Sequence, residues 1–400
     1  GGWRLDSLVA KIMEIKIDKK IIGKGHPCFL IAEAGVNHKL VGDASQQSLG
    51  RACEMVNIAK RAGCDAIKFQ TFKAEKLQLK NIPKPGYQNR NLGRDVDYFN
   101  ILKSLETSQE DQIKIAKYCQ SKGIIFLSTP YDNDSANFLE NLDVPAFKIA
   151  SIELTNHLFL RYVAKKNKPV FLSTGLSDLE KVKKAVAVFD SEGMKNNLMI
   201  FQCTSNYPTE YEDINLRVLT RYSQEFGLIY GLSDHSRDDI ASIGAVALGG
   251  LILEKHFTLD KNFPGPDHSA SLNPDEVKQW VKHVREMENF IKNNNGEIGE
   301  NILNTFVEKV NYINLQDMEK CLGSAEKQIT ETEIDNKQMM KFLVIKSAKA
   351  GTTIGYKHLR AMRTGGEGIL ALDENLEKIV GRELKKTIDK PRAFTWNMIE

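Results

Sequence analysis

Eight short apolar runs, at residues 28–33, 64–70, 124–129, 146–151, 170–174, 198–204, 228–235 and 251–256, each close on a polar or charged side chain. Stretches with apolar residues three and four apart separate them, at 48–61, 109–121, 135–141, 158–166, 179–189, 216–226 and 239–248, and one more follows at 275–291. Near-continuous apolar runs of this length suit parallel strands buried on both faces. Eight of them with helices between is the count of a (β/α)8 TIM barrel, an α/β fold. A barrel brings every strand's C-terminal end to one rim, so the polar residues that close the runs would converge on one site. Such a rim predicts an enzyme.

The alternation has punctuation. Gly63, Gly123, Gly193 and Gly227 stand where helix C-caps are expected, and Asn273 before Pro274 offers a cap and a proline in the first turn. A barrel takes ~250 residues, so a chain of 400 has room for a second module. The net charge of +3 comes from 55 basic and 52 acidic residues spread throughout, which gives no broad field for nucleic acid. The six cysteines show no Cys-x-x-Cys spacing and read as reduced. No stretch reaches the ~20 apolar residues of a membrane span, and no signal-peptide pattern opens the chain, so no membrane and a cytoplasmic location are expected. Residues 1–12 precede Met13 and read as an upstream extension or expression remnant.

Three stretches break the alternation. Residues 73–104, after the second run, carry Pro83, Pro85, Gly86 and Gly93 among polar residues. Their length on the rim side suits a substrate-covering loop, and their composition suits a disordered excursion equally well. The barrel is expected over 13–291, and 292–339 has no strand–helix unit and reads as a linker. From 340 to 400 short strands and turns are expected, with glycine turns at 350–354 and 365–368. So small a unit holds a core weakly by itself and should pack against something else.

The rim residues suggest chemistry. His235 and His256 close neighbouring runs seven and eight, so two imidazoles with water and substrate oxygens would hold a divalent metal such as Mn, Zn or Mg. A single rim histidine would more simply tie down a loop. Glu33 and Glu153 end strands on opposite sides of the mouth and suit general acid or base work, or else salt bridges to Lys68 or Lys148. Lys68, Lys148 and the hydroxyls of Thr129, Ser151, Ser205 and Ser233 together suit a phosphate and a carboxylate on one small ligand. Lys148 could instead form a Schiff base, which would make a metal-free lyase or aldolase.

The ordered motifs IAEAGVNH (31–38), KFQT (68–71), STP (128–130), KIASIE (148–153), STG (173–175), CTSNYP (203–208), GLSDH (231–235), EKHFT (254–258) and GPDH (265–268) closely resemble the sialic acid synthase family. The match covers roughly residues 15–288, and the tail resembles the family's antifreeze-like (SAF) domain. The resemblance implies metal-dependent condensation of phosphoenolpyruvate with N-acetylmannosamine or a related N-acetylated hexose, giving N-acetylneuraminate or a related nonulosonate and phosphate. It assigns His235 and His256 to the metal, manganese first, with magnesium or cobalt as alternatives. Glu33 and Glu153 would be catalytic. Lys68, Thr129, Lys148, Ser151, Ser205 and Ser233 would grip phosphoenolpyruvate, and Gln70, Tyr207 and Asp267 would contact sugar or metal-bound water. It also implies a domain-swapped homodimer, in which Arg363 of the motif MRTGG (362–366) reaches the sugar's N-acetyl end in the partner's barrel.

The tail departs from the family at Met340, Lys341 and Phe342, where an arginine-rich start with a serine is common. The segment GPDHSAS (265–271) looks closer to neuraminate and legionaminate synthases than to those making pseudaminate. A legionaminate synthase acting on the di-N-acetylated trideoxy sugar is therefore the alternative enzyme. A glycan-binding protein without turnover is the alternative outside catalysis.

Overall fold

The structure, a computed structural model, describes residues 13–40, 42–80, 82 and 97–400. The first two strands, β1 (Glu14–Ile17) and β2 (Lys20–Gly23), form an antiparallel hairpin. The eight apolar runs follow as β3 (Phe29–Gly35), β4 (Ala66–Thr71), β5 (Ile125–Pro130), β6 (Phe147–Ile149), β7 (Val170–Ser173), β8 (Leu198–Cys203), β9 (Ile229–Asp234) and β10 (Ile252–His256). All eight are parallel, in the order β5-β4-β3-β10-β9-β8-β7-β6, and the two ends of that ladder, β5 and β6, lie side by side. The sheet is thus a nearly closed barrel, as the runs predict. Every residue of β3 and of β5 to β10 is buried, which is why these strands lack polar alternation.

The β1–β2 hairpin was not expected from the sequence. Its isoleucines Ile15, Ile17 and Ile22 pack with Phe29, Ala66, Ile125, Ile229 and Ile252, residues at the starts of barrel strands. The hairpin therefore plugs the N-terminal end of the barrel and leaves chemistry to the C-terminal rim. Its only mark in the sequence is the exposed–buried alternation of Glu14–Ile17, over four residues.

Helices cover the outside. Pro274–Asn293 starts on a capping box between Asn273 and Glu276 and buries Val277, Trp280, Val281, Val284 and Met287 along one face. The helix Ile240–Ala247 is buried on every side, and the stretch expected as a linker is the reason. Within 292–339, the helices Glu300–Val307 and Leu315–Leu322 pack over Ile240–Ala247 and insert Ile302, Leu303, Phe306, Met318 and Leu322 into the main core. This part of the linker is outer barrel wall. Among the described residues no helix is long and apolar enough to cross a membrane, and all six cysteines are unpaired.

The C-terminal unit is a small antiparallel sheet of β11 (Lys341–Ile345), β12 (Leu359–Arg363) and β13 (Arg392–Ala393), in the order β12-β11-β13, with the helix Asp373–Ile379. It has a core of its own around Leu343, Ile345, Ile369, Leu376 and Phe394. It is also pinned to the barrel of the same chain. Arg161 makes a two-pronged ion pair with Asp373 at 3.1 and 3.0 Å, and the His157 backbone N–H donates to the Ala371 carbonyl at 3.0 Å. Of the long insertion after β4, residues 81 and 83–96 lie outside the described residues. The flanking pieces are helical, Ala74–Leu77 and Tyr98–Leu105.

Candidate active site

Strand geometry explains which side chains meet. Residues two apart on a strand share a face, so Lys68 pairs with Gln70 on β4, Ser233 with His235 at the end of β9, and Glu254 with His256 on β10. At the C-terminal rim these line a cavity of about 110 Å³ together with Glu33, Thr129, Lys148, Ser151, Ser205, Tyr207, Asp267 and Arg363. Of the residues expected at the site, only Glu153 is missing from its walls.

The centre is a buried charge network. Lys68 Nζ lies 2.7 Å from Glu33, 3.6 Å from Glu254 and 2.9 Å from the Thr129 hydroxyl. Lys148 Nζ lies 3.3 Å from Glu254 and donates to the Ser173 hydroxyl at 2.7 Å. Glu254, which also accepts from Ser233 at 3.1 Å, is the hub that residue-by-residue reading of strand ends overlooked. Its signal was present, because it stands two before His256 on the same strand.

Burial sets the protonation states and the neighbours correct them. For Glu33, burial raises the pKa to about 7, although Lys68 pulls it down. For Glu254, burial pushes upward, but Lys148 and Lys68 outweigh it and the pKa is lowered. Burial pulls Lys68 down, but Glu254 and Glu33 more than restore it and its pKa is raised. Lys148 is left lowered, by burial that Glu254 only partly offsets. Burial lifts Asp267 to about 6 against the pull of His235 and Arg363.

The two histidines meet edge to face at neighbouring strand ends, with ring centroids 5.4 Å apart, and the Tyr207 ring lies tilted 4.1 Å from His235 and edge-on 5.5 Å from His256. His235 Nδ1 donates to the Thr204 carbonyl at 2.7 Å, which leaves Nε2 as the lone-pair nitrogen. Burial, and the neighbouring His235, hold His256 neutral by lowering its pKa well below the usual imidazole value. His256 Nδ1 is buried without a hydrogen-bond partner among the described residues. Burial pulls His235 down, but the Cys203 thiol beside it more than restores it and its pKa is raised, so an ion there would displace its proton. That imidazole and the neutral His256, with its unsatisfied nitrogen, fit part of a metal site. Among the described residues no group of three His, Cys, Asp or Glu side chains converges to hold an ion, so any further ligands would be water or substrate oxygens.

Glu153 is fully buried beside the cavity, where it is paired with Lys341 of the tail and accepts from Asn156 at 2.7 Å. Burial raises its pKa and Lys341 opposes that rise. The expected catalytic pair is therefore split: Glu33 faces the cavity, and Glu153 faces the tail. The other wall of the cavity is apolar, made by Val36, Phe72, Leu77, Ile101, Leu102 and Met339. Ile101 and Leu102 come from Tyr98–Leu105, so the described end of the long insertion does line the site. On β12, Arg363 reaches the same wall and donates to the Tyr98 hydroxyl at 3.1 Å.

The sequence profile of the NeuB family matches residues 55–296. Over 383 residues, 94% of this chain and 96% of the relative, the chain is 35% identical to the N,N'-diacetyllegionaminic acid synthase of Legionella pneumophila. It is 36% identical to the human N-acetylneuraminate-9-phosphate synthase over 67% of this chain and 72% of that protein. Among solved structures it resembles the spore coat polysaccharide biosynthesis protein SpsE of Bacillus subtilis, with a TM-score of 0.77 and 31% identity over 97% of this chain and 99% of that one. A barrel of this build, with these motifs at its rim, matched over more than half its length, belongs to the NeuB family.

Proposed function

We propose that this chain condenses phosphoenolpyruvate with a free N-acetylated amino sugar and water, giving a nine-carbon 2-keto acid and phosphate. The observation that carries this reading is the division of one cavity into two halves. Lys68 and Lys148, held by Glu33 and Glu254, and the hydroxyls of Thr129, Ser151, Ser205 and Ser233 give one half its ammonium and hydroxyl donors, which suit a small phosphate-bearing carboxylate. Arg363, Tyr98 and the apolar wall make the other, which suits a sugar carrying acetyl groups. Family membership supports the same chemistry.

In this reading Lys68 and Lys148 neutralise the phosphoenolpyruvate and the hydroxyls orient it. Glu33, with a pKa raised to about 7, holds a proton in one form and in the other, ionised beside Lys68, faces the positive charge that develops at the enol carbon. Gln70, Tyr207 and Asp267 position the sugar, and Glu153 acts from behind through Lys341 and Asn156. His235 and His256 would hold a divalent ion, manganese first. When bound, such an ion polarises the sugar aldehyde.

The sequence motifs put N-acetylmannosamine first, but two observations favour the di-N-acetylated trideoxy sugar. A relative aligned over 94% of this chain is a diacetyllegionaminic acid synthase, and the apolar wall is better matched to methyl groups than to hydroxyls or a phosphate. Phosphate release measured with N-acetylmannosamine, its 6-phosphate and the di-N-acetylated trideoxy sugar tests this choice. The highest kcat/KM is expected for the last, and a preference for N-acetylmannosamine would restore the first reading. Release with none of them would leave a binder without turnover.

The lowered pKa of Lys148 keeps a Schiff-base aldolase in view. Its ion pair with Glu254 argues against it, and borohydride with substrate is expected to trap no adduct there. We further infer a homodimer with exchanged tails. A swapped pair makes the same tail–barrel contacts between chains that this chain makes within itself.

A further inference from the structure

Between the outer-wall helices and the tail, the chain sends two charged side chains into the barrel behind the phosphoenolpyruvate half. Glu333 is fully buried, in a short helix (Glu331–Ile334) that it caps together with Thr330. Its Oε1 accepts the backbone N–H of Leu176 and that of Ser205, both at 2.7 Å, and its Oε2 accepts the Thr330 N–H at 3.2 Å. Leu176 lies just past β7 and Ser205 just past β8, so a single oxygen ties two adjacent strand ends together.

The same segment holds Ser205 from its other side, because Asn336 donates to the Ser205 carbonyl at 3.1 Å. Lys327, also buried, donates to the Cys203 carbonyl at 3.1 Å. What these contacts fix is the neighbourhood of two site hydroxyls. Ser151 Oγ accepts the Gly175 N–H at 2.9 Å, and a methyl group on Gly175 would collide with the hydroxyls of both Ser205 and Ser151. Burying a carboxylate next to an anion-binding wall costs stability unless its oxygens are satisfied. Two short charge-assisted bonds from rim backbone are what offset that cost here.

We propose that Glu333 is a positioning residue for phosphoenolpyruvate: it sets the backbone at Leu176 and Ser205 so that the Ser151 and Ser205 hydroxyls face the anion. This assignment rests on taking the lysine- and hydroxyl-lined half of the cavity as the phosphoenolpyruvate side. The segment that carries Glu333 runs directly on to Met339, which lines the cavity, and to Lys341, which pairs with Glu153. It therefore registers the tail against the same strand ends that hold the anion.

The test uses the full-length chain. Glu333→Ala removes the acceptor of two backbone donors and is expected to raise the KM for phosphoenolpyruvate about tenfold while the sugar KM stays within about twofold. Glu333→Gln keeps an oxygen in reach of Leu176 and Ser205 and is expected to restore most of that loss. If the alanine variant does not fold, Glu333→Asp, which draws the oxygens back by one methylene, is read by the same ratio. Calorimetry with phosphoenolpyruvate alone gives a readout independent of turnover, with binding weakened in the Ala and Asp variants and kept in Gln. Equal effects on both KM values, or unchanged phosphoenolpyruvate binding in the Ala or Asp variant, would overturn the assignment. A wild-type chain that binds phosphoenolpyruvate but turns over no sugar would refute the proposed reaction alone, whereas one that does not bind it would refute both.

Discussion

Glu33 is the most exposed to test of the site's side chains, because its charge state follows from burial and one salt bridge. Its pKa is raised to about 7, burial outweighing Lys68. The ionised form is the one that accepts a proton or faces a developing cation, so kcat/KM is expected to fall as pH drops through about 7. Glu254 and the two lysines titrate with it, so that limb belongs to the cluster rather than to one carboxyl. Glu33→Gln should displace the limb and remove most turnover, and a flat wild-type profile across this range would argue against the role. Residues that close an apolar run were readable one by one, as Glu33, Gln70, Thr129 and the two histidines were. Glu254 stands two residues inside its strand end, and Lys341 and Tyr98 reach the site from other elements, so strand ends alone do not reveal them.

At the scale of elements, apolar run length and helix spacing were enough to order eight strands and their helices, because buried parallel strands and amphipathic helices have distinct periods. Two kinds of element were not legible. The β1–β2 hairpin alternates over too few residues to stand out, and the helices at Glu300–Val307 and Leu315–Leu322 show their purpose only against Ile240–Ala247, whose apolar surface they cover. The strand register itself gives a sharp prediction. At Gly231 on β9 an added methyl would overlap the Ile252 carbonyl oxygen of β10, a backbone atom that cannot step aside. Gly231→Ala should therefore cost more than about 3 kcal/mol, beyond the usual range for overpacking. Thermal or denaturant unfolding checks this, and a variant of wild-type stability would contradict the register.

At the scale of the whole molecule, composition and length announced a second module, but only the structure shows how it completes the site. The tail brings Arg363 to the apolar half and Lys341 to Glu153, and holds on through Arg161 and Asp373. If those contacts are exchanged between two chains, a mixture of Arg363→Ala and His256→Ala proteins should regain activity that neither shows alone. Random pairing would restore about a quarter of the wild-type rate at low sugar, since half the dimers are mixed and each has one intact site. No recovery on mixing would keep each tail on its own barrel.

The central claim is that two histidines and a divided cavity at one barrel mouth serve a single condensation. Release of phosphate from phosphoenolpyruvate, followed with and without sugar, before and after chelation and manganese reloading, tests it most directly. Release is expected to require both sugar and metal, and to be lost in His256→Ala with unfolding unchanged. Undiminished release after thorough chelation, or in the His256→Ala chain, would contradict it.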